Sequence, residues 1–132
     1  MKKEESFKQF VNAFKSSCRV YLKEKERAAM IEAKFPELKT TVFSPDAFKI
    51  DLSDDYGRGN MELYQFLRDD IAFVEETFQK ISEKCGSNAK VFIWSLYVEN
   101  RIQTDVADSY GLTRRQLQYM VDKWLREVYE DE

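Results

Sequence analysis

Tyr97-Val98-Glu99-Asn100-Arg101-Ile102-Gln103-Thr104-Asp105-Val106-Ala107-Asp108-Ser109-Tyr110-Gly111-Leu112-Thr113-Arg114-Arg115-Gln116-Leu117 is the stretch that decides the fold. Counted from Gln103, Ala107 falls where two helices joined by a tight turn come closest, and Gly111 falls in the turn. Val106, Tyr110, Leu112, Leu117 and Met120 take the apolar positions that pack the pair. A turn of three or four residues leaves no room for a large side chain at the crossing, and only glycine reaches the left-handed region without strain. The stretch therefore predicts a helix-turn-helix, with helices over about 103–110 and 113–129.

Upstream, residues 88–99 are apolar nearly all round (Val91, Phe92, Ile93, Trp94, Leu96, Tyr97, Val98), which predicts a buried helix on which the others pack. Gly86 is expected to break the helix that precedes it. Over about 60–84, Tyr64, Leu67, Ile71, Val74, Phe78, Ile81 and Cys85 step by alternate threes and fours, a heptad seam made to lie along another long helix. Asn60 is expected to cap that helix. The natural partner is a first helix over about 5–34, with Phe7, Phe10, Val11, Phe14, Cys18, Tyr21, Leu22, Ala28 and Ala29 as its apolar face. A homodimeric coiled coil through 64–85 is the other use of the seam. Lys23–Arg27 reads as a solvated charged face.

Between the long helices, Pro36, Ser44-Pro45 and Gly57-Arg58-Gly59 punctuate an irregular loop over 36–60. Ser44 and Pro45 suit the start of a single helical turn, and 42–43 and 48–52 alternate as short strands would. Gly57-Arg58-Gly59 lacks both the strand before and the Lys-Ser/Thr after that a phosphate-binding loop needs. The expected architecture is all-α: two long N-terminal and middle helices in an arm over 1–87, then a helix-turn-helix domain over 88–132.

Apolar residues make up 43% of the 132, enough for a real core in a single small domain. No apolar run approaches the ~20 residues of a membrane span, and Met1-Lys2-Lys3-Glu4-Glu5 opens no signal peptide, so the expected location is cytoplasmic. Cys18 and Cys85 lie on apolar stripes and read as reduced thiols rather than a disulfide or zinc site. With no histidine, the commonest general base and metal ligand is missing. The pairs Asp54-Asp55, Asp69-Asp70 and Glu75-Glu76 are neighbours, which on a helix diverge by about 100°, so they read as solvated surface. No enzyme, metal or cofactor is expected.

From Tyr97 onward the sequence resembles region 4 of sigma factors. In that family a Tyr-x-Glu ends one helix, an Ile/Val-Ala pair follows in the next, and a Leu-Gly-Ile/Leu-Ser/Thr turn leads to a basic helix that enters the major groove. The matching residues are Tyr97-Val98-Glu99, Val106-Ala107, Tyr110-Gly111-Leu112-Thr113 and Arg114-Arg115-Gln116-Leu117. The whole layout is also similar to phage and prophage transcription regulators of the autolysin-regulator (ArpU) and RinA type, with Phe35-Pro36-Glu37-Leu38 and Ser44-Pro45 fitting their plan. Two departures stand out. Ile102 occupies the place of the usual Ser/Thr cap, with Thr104 the nearest substitute. Asp122 lies where phosphates would run, and would repel DNA unless Arg115 or Arg126 neutralises it.

Double-stranded DNA is thus the expected partner of a transcription regulator. Leu117, Val121, Trp124 and Val128 mark the core side of the last helix, and the opposite side holds the candidate contacts. The first turn of a recognition helix reaches base edges, so Arg114, Arg115, Gln118 and Tyr119 are the candidates for readout. Lys123, Arg126 and Arg101 are candidates for phosphates. Thr113 and Gln116 have capping-box spacing, which competes with a DNA role for Gln116. The net charge of −3 favours a second expectation, an interaction protein of this fold that binds RNA polymerase or another protein with little DNA affinity. The charge is uneven: ten Lys/Arg against six Asp/Glu over 1–39, but five against ten over 40–87. A phage terminase small subunit shares the helix content and would reveal itself as a ring.

Overall fold

The structure, a computed structural model, describes residues 2–35 and 55–130. It is all-α there: α1 Lys2–Lys34, α2 Asp55–Cys85, α3 Ser87–Tyr97, α4 Gln103–Ser109 and α5 Arg114–Glu130. The strands expected at 42–43 and 48–52 and the turn expected at Ser44-Pro45 lie outside the described residues.

α1 and α2 run antiparallel and seal their seam within one chain. On α1, Phe7, Phe14, Tyr21 and Ala28 are buried at seven-residue intervals, with Cys18 and Ile31 between and beyond them. On α2, Tyr64, Leu67, Val74, Phe78 and Ile81 are buried in turn. Phe14 is the hinge pin, with Phe73, Phe78 and Tyr97 packed around its ring at 6.1, 5.2 and 5.8 Å. The heptad seam of α2 is therefore occupied by α1, the partner the sequence favours, and the buried residues of that seam are not open to a second copy.

Four expectations for these helices need correction. Leu22 and Ala29 face solvent, because the pair follows a period of 3.5 and residues placed on a 3.6 period drift off it. Lys23–Arg27 is not wholly a solvated face: Glu24 is 7% exposed, and its Oε2 is buried with no hydrogen-bond partner. Asp70 and Glu75 are not free surface either. Asp70 accepts a hydrogen bond from Ser17 (2.6 Å), and Glu75 accepts from Tyr21 (2.6 Å) and Lys25 (3.2 Å), tying α2 to α1 at its polar edge. α2 also begins at Asp55 rather than at an Asn60 cap, so Gly57-Arg58-Gly59 is helical. A growing helix can pass a glycine at a cost of roughly 1 kcal/mol, and extension here wins over a break.

One core runs across the 87/88 boundary. Phe7, Phe14, Val74, Phe78 and Ile81 of the long pair share a buried cluster with Ile93, Val106, Leu117, Leu125 and Val128. A separate small cluster of Ala28, Ile31, Tyr64 and Leu67 closes the other end of the pair. As the sequence suggests, α3 is largely buried, although Val91 on its outer side is exposed. Among the described residues no helix is long and apolar enough to cross a membrane.

Candidate nucleic-acid interface

The motif is built by two helix endings that each use one left-handed residue. Asn100 (φ 57) and Gly111 (φ 69) are left-handed. After each, an amide reaches back along the chain: Arg101 N–H to the Ser95 carbonyl (3.0 Å) and Leu112 N–H to the Ala107 carbonyl (2.9 Å). These bonds satisfy carbonyls that a helix end would otherwise orphan, and they fix the direction in which the next helix leaves. Ala107 is 1% exposed at the crossing, and Val106 and Leu117 are fully buried beside it. Tyr110 is half exposed, but its ring lies 4.2 Å from that of Phe92, which in turn meets Trp124 at 5.6 Å.

α5 starts with a reciprocal cap. Gln116 N–H donates to Thr113 Oγ1 at 3.1 Å, and Thr113 N–H donates to Gln116 Oε1 at 2.9 Å. Gln116 is thus taken up by the cap. By contrast, α4 starts at Ile102 with no side-chain cap, and Thr104 does not replace one.

Beyond the cap, α5 divides into a free half and a held half. Arg114, Arg115, Gln118 and Tyr119 are exposed, with Tyr119 70% accessible. Arg114 Nε (3.0 Å) and Gln118 Nε2 (2.7 Å) both donate to Oε1 of Gln103 on α4. Gln103 therefore sets the directions of two readout candidates, a role that nothing in the sequence signalled. One of five guanidinium donors is used on Arg114, and the Gln118 carbonyl oxygen stays open, so neither loses its capacity to meet a base edge. Lys123 and Arg101 are also exposed.

The C-terminal half of α5 is docked. Tyr129 packs against Phe7 and Phe10 of α1 at 5.7 and 5.4 Å, and the single proton of the Cys85 thiol at the end of α2 has two acceptors in reach, Glu127 Oε2 (3.3 Å) and the Trp124 carbonyl (3.6 Å). Burial first, then the neighbouring Glu127 carboxylate, pushes the Cys85 thiol up to about 11. Cys18 is fully buried, and desolvation raises it to about 12. Both are free thiols. Leu125, 1% exposed, is a core residue that the sequence pattern hides behind the half-buried Trp124.

Arg126 belongs to the docked half. Its Nη2 and Nη1 reach Glu4 Oε1 and Oε2 at 2.7 and 3.1 Å, its Nε reaches Asp122 at 2.7 Å, and the guanidinium lies 4.3 Å from the Phe7 ring centre. Three donors and one face are occupied, which makes it a clamp between helices rather than an open phosphate ligand. The same pairing neutralises Asp122.

Among the described residues, no group of three or more Cys, Asp or Glu is placed to hold a metal ion. Comparison with known proteins yields no matching family model, and neither a curated protein nor a solved structure with significant similarity to this chain.

Proposed function

We propose that this protein is a sigma-like, DNA-binding transcription regulator that lays the N-terminal half of α5 in the major groove. The observation that carries this reading is the free half of α5: Arg114, Arg115, Gln118 and Tyr119 project together from one exposed surface, immediately after a tight Gly111 turn. Arg115 is the principal base reader, with Arg114 and Gln118 aimed by Gln103. Each well-formed bidentate contact would contribute about 1–3 kcal/mol of discrimination. Arg101 and Lys123 hold phosphates and set register. Arg126 has no such part.

Gel-shift or fluorescence titration on random duplex, followed by selection of preferred sites, tests the reading. Binding that weakens steeply with salt and is lost in Arg114→Ala/Arg115→Ala supports it. No binding at ~50 mM salt would overturn it.

One observation favours a second reading, a protein partner such as RNA polymerase. Leu112, Met120 and Tyr119 line an open hollow of ≈ 480 Å³ with Thr113, Arg115 and Gln116 at the tip of the motif, on a chain whose net charge is −3. Such a hollow fits an apolar side chain of another protein. Under that reading Tyr119→Ala weakens polymerase binding while duplex DNA does not bind at all.

A further inference from the structure

Two open grooves meet beside the free half of α5, and both are walled by α1. The first lies between α1 and α5, and its lining includes Lys15, Gln103, Gln118 and Asp122. The second, of ≈ 250 Å³, lies between α1 and the α3–α4 loop and is lined by Lys15, Arg19, Asn100, Arg101 and Gln103. Lys15 and Gln103 belong to both, so the surface is continuous from Gln118 through Gln103 and Lys15 to Arg19 and Arg101.

No carboxylate lines the second groove, and none of its three cations has an ion-pair partner among the described residues. That contrasts with Lys25 and Arg126, which are paired with Glu75, and with Glu4 and Asp122. Two of the three are also positioned, Lys15 by its side chain and Arg101 by its backbone. Lys15 lies 5.4 Å from the centre of the Tyr97 ring, and the Arg101 backbone is pinned by its bond to the Ser95 carbonyl beside left-handed Asn100. Three converging, uncompensated cations suit an acceptor with several anionic oxygens.

We infer that Lys15 and Arg19 of α1, with Arg101, form a phosphate track that continues the α5 contact surface along the backbone of the same DNA duplex. This rests on the DNA-binding reading and deepens it. α1 is then part of the nucleic-acid surface as well as a support for the motif. Because the track contacts phosphates alone, it adds affinity without reading sequence.

The test measures duplex affinity against salt for four proteins: wild type, Arg19→Gln, Lys15→Gln/Arg19→Gln, and Lys23→Gln/Arg27→Gln. Lys23 and Arg27 line a different hollow near Phe35, so their replacement removes the same charge elsewhere on α1. With two phosphate ligands replaced, the log–log salt slope of Lys15→Gln/Arg19→Gln becomes about 1.8 shallower, and that of Arg19→Gln about 0.9 shallower. A fourfold rise in salt then costs the wild type about 12 times more affinity than it costs the double variant. Lys23→Gln/Arg27→Gln keeps the wild-type slope, and preference among sequences is unchanged throughout.

If wild type binds DNA and all four slopes agree, the track is overturned while the DNA-binding reading stands. If Lys23→Gln/Arg27→Gln lowers the slope as much as the groove variant does, net charge explains the effect and the track is likewise overturned. If wild type binds no duplex, the DNA-binding reading falls and takes the track with it. Arg19→Gln alters an exposed side chain only, so its slope remains informative even if removing the Lys15–Tyr97 contact disturbs folding.

Discussion

Arg126 of α5 grips Glu4 of α1 through two parallel contacts of 2.7 and 3.1 Å, joining residues 122 positions apart in the chain. The same guanidinium bonds Asp122 one turn back and covers the Phe7 ring. Glu4 is held below the usual carboxylate range chiefly by the hydrogen bond from Arg126. The pair is at the surface and open to salt screening. Its consequence is geometric: it fixes the far end of α5 to α1 and so sets how the near end is presented.

Arg126→Gln is therefore expected to lower the thermal midpoint, by less at ~500 mM NaCl than at ~50 mM, because salt already weakens the wild-type pair. Its DNA-binding salt slope is expected to match wild type. Thermal melts and titrations at both salts check this. A slope reduced by about 0.9 would instead make Arg126 a phosphate ligand.

Glu24 makes stability depend on pH. Burial first, then the hydrogen bond and negative charge of Asp70, raise its carboxyl to about 8 from an ordinary value of 4.5. The folded chain thus holds a proton that the unfolded chain releases in that range. Between about pH 4.5 and 8 the folded state binds more protons, so this group's contribution falls as pH rises through the window. Glu24→Gln removes the charge and keeps the shape. It is expected to leave stability near wild type at pH 5 and raise it by about 1–3 kcal/mol at pH 9, the scale of relieving a buried unsatisfied group. Urea titrations at the two pH values check the sign, and a variant less stable at pH 9 would contradict it.

The Gly111 turn and the Ala107 crossing carry separable costs. A Cβ built on Gly111 meets nothing within 4 Å, so Gly111→Ala carries only the strain of its left-handed backbone, about 1–2 kcal/mol. Ala107→Leu forces three more carbons into a full contact and is expected to cost about 1–3 kcal/mol. Gly111→Asn is expected to cost less than Gly111→Ala, because asparagine tolerates that region. Chemical denaturation of the three variants checks the order.

The two thiols should differ from ordinary cysteines and from each other. Cys18 is fully buried and Cys85 partly so, and both are raised well above the usual thiol range. A thiol reagent at pH 8 is expected to modify native protein slowly, Cys85 before Cys18, and both rapidly in denaturant. Fast labelling of Cys18 in native protein would contradict the packing of α1 on α2.

Much of this fold is legible because its signals are local or periodic. The Ala107–Gly111 spacing places the turn, Thr113 and Gln116 place the cap, and the threes and fours from Tyr64 to Cys85 place the seam. The face of α1 is readable as far as Tyr21. Beyond it, Leu22 looks like core by composition and Glu24 looks like surface, and each lies on the other side because the seven-residue line from Phe7 to Ala28 decides orientation. Asn100 is recognisable in principle as a left-handed ending, since asparagine is the usual substitute for glycine there. The roles of Arg126 and Gln103 are not. An arginine on the outward face of a motif helix has the sequence of a phosphate ligand, and only the fold brings Glu4 to it. Gln103 acts through Arg114 and Gln118, 11 and 15 residues away on another helix.

Whether the free half of α5 binds DNA is read from the affinity of the whole chain for random duplex at ~50 and ~200 mM salt, beside Arg114→Ala/Arg115→Ala. Salt-sensitive binding by wild type and its loss in the variant, with unchanged helical content, are the expected result. Equal binding by both proteins, or none by wild type at the lower salt, would contradict it.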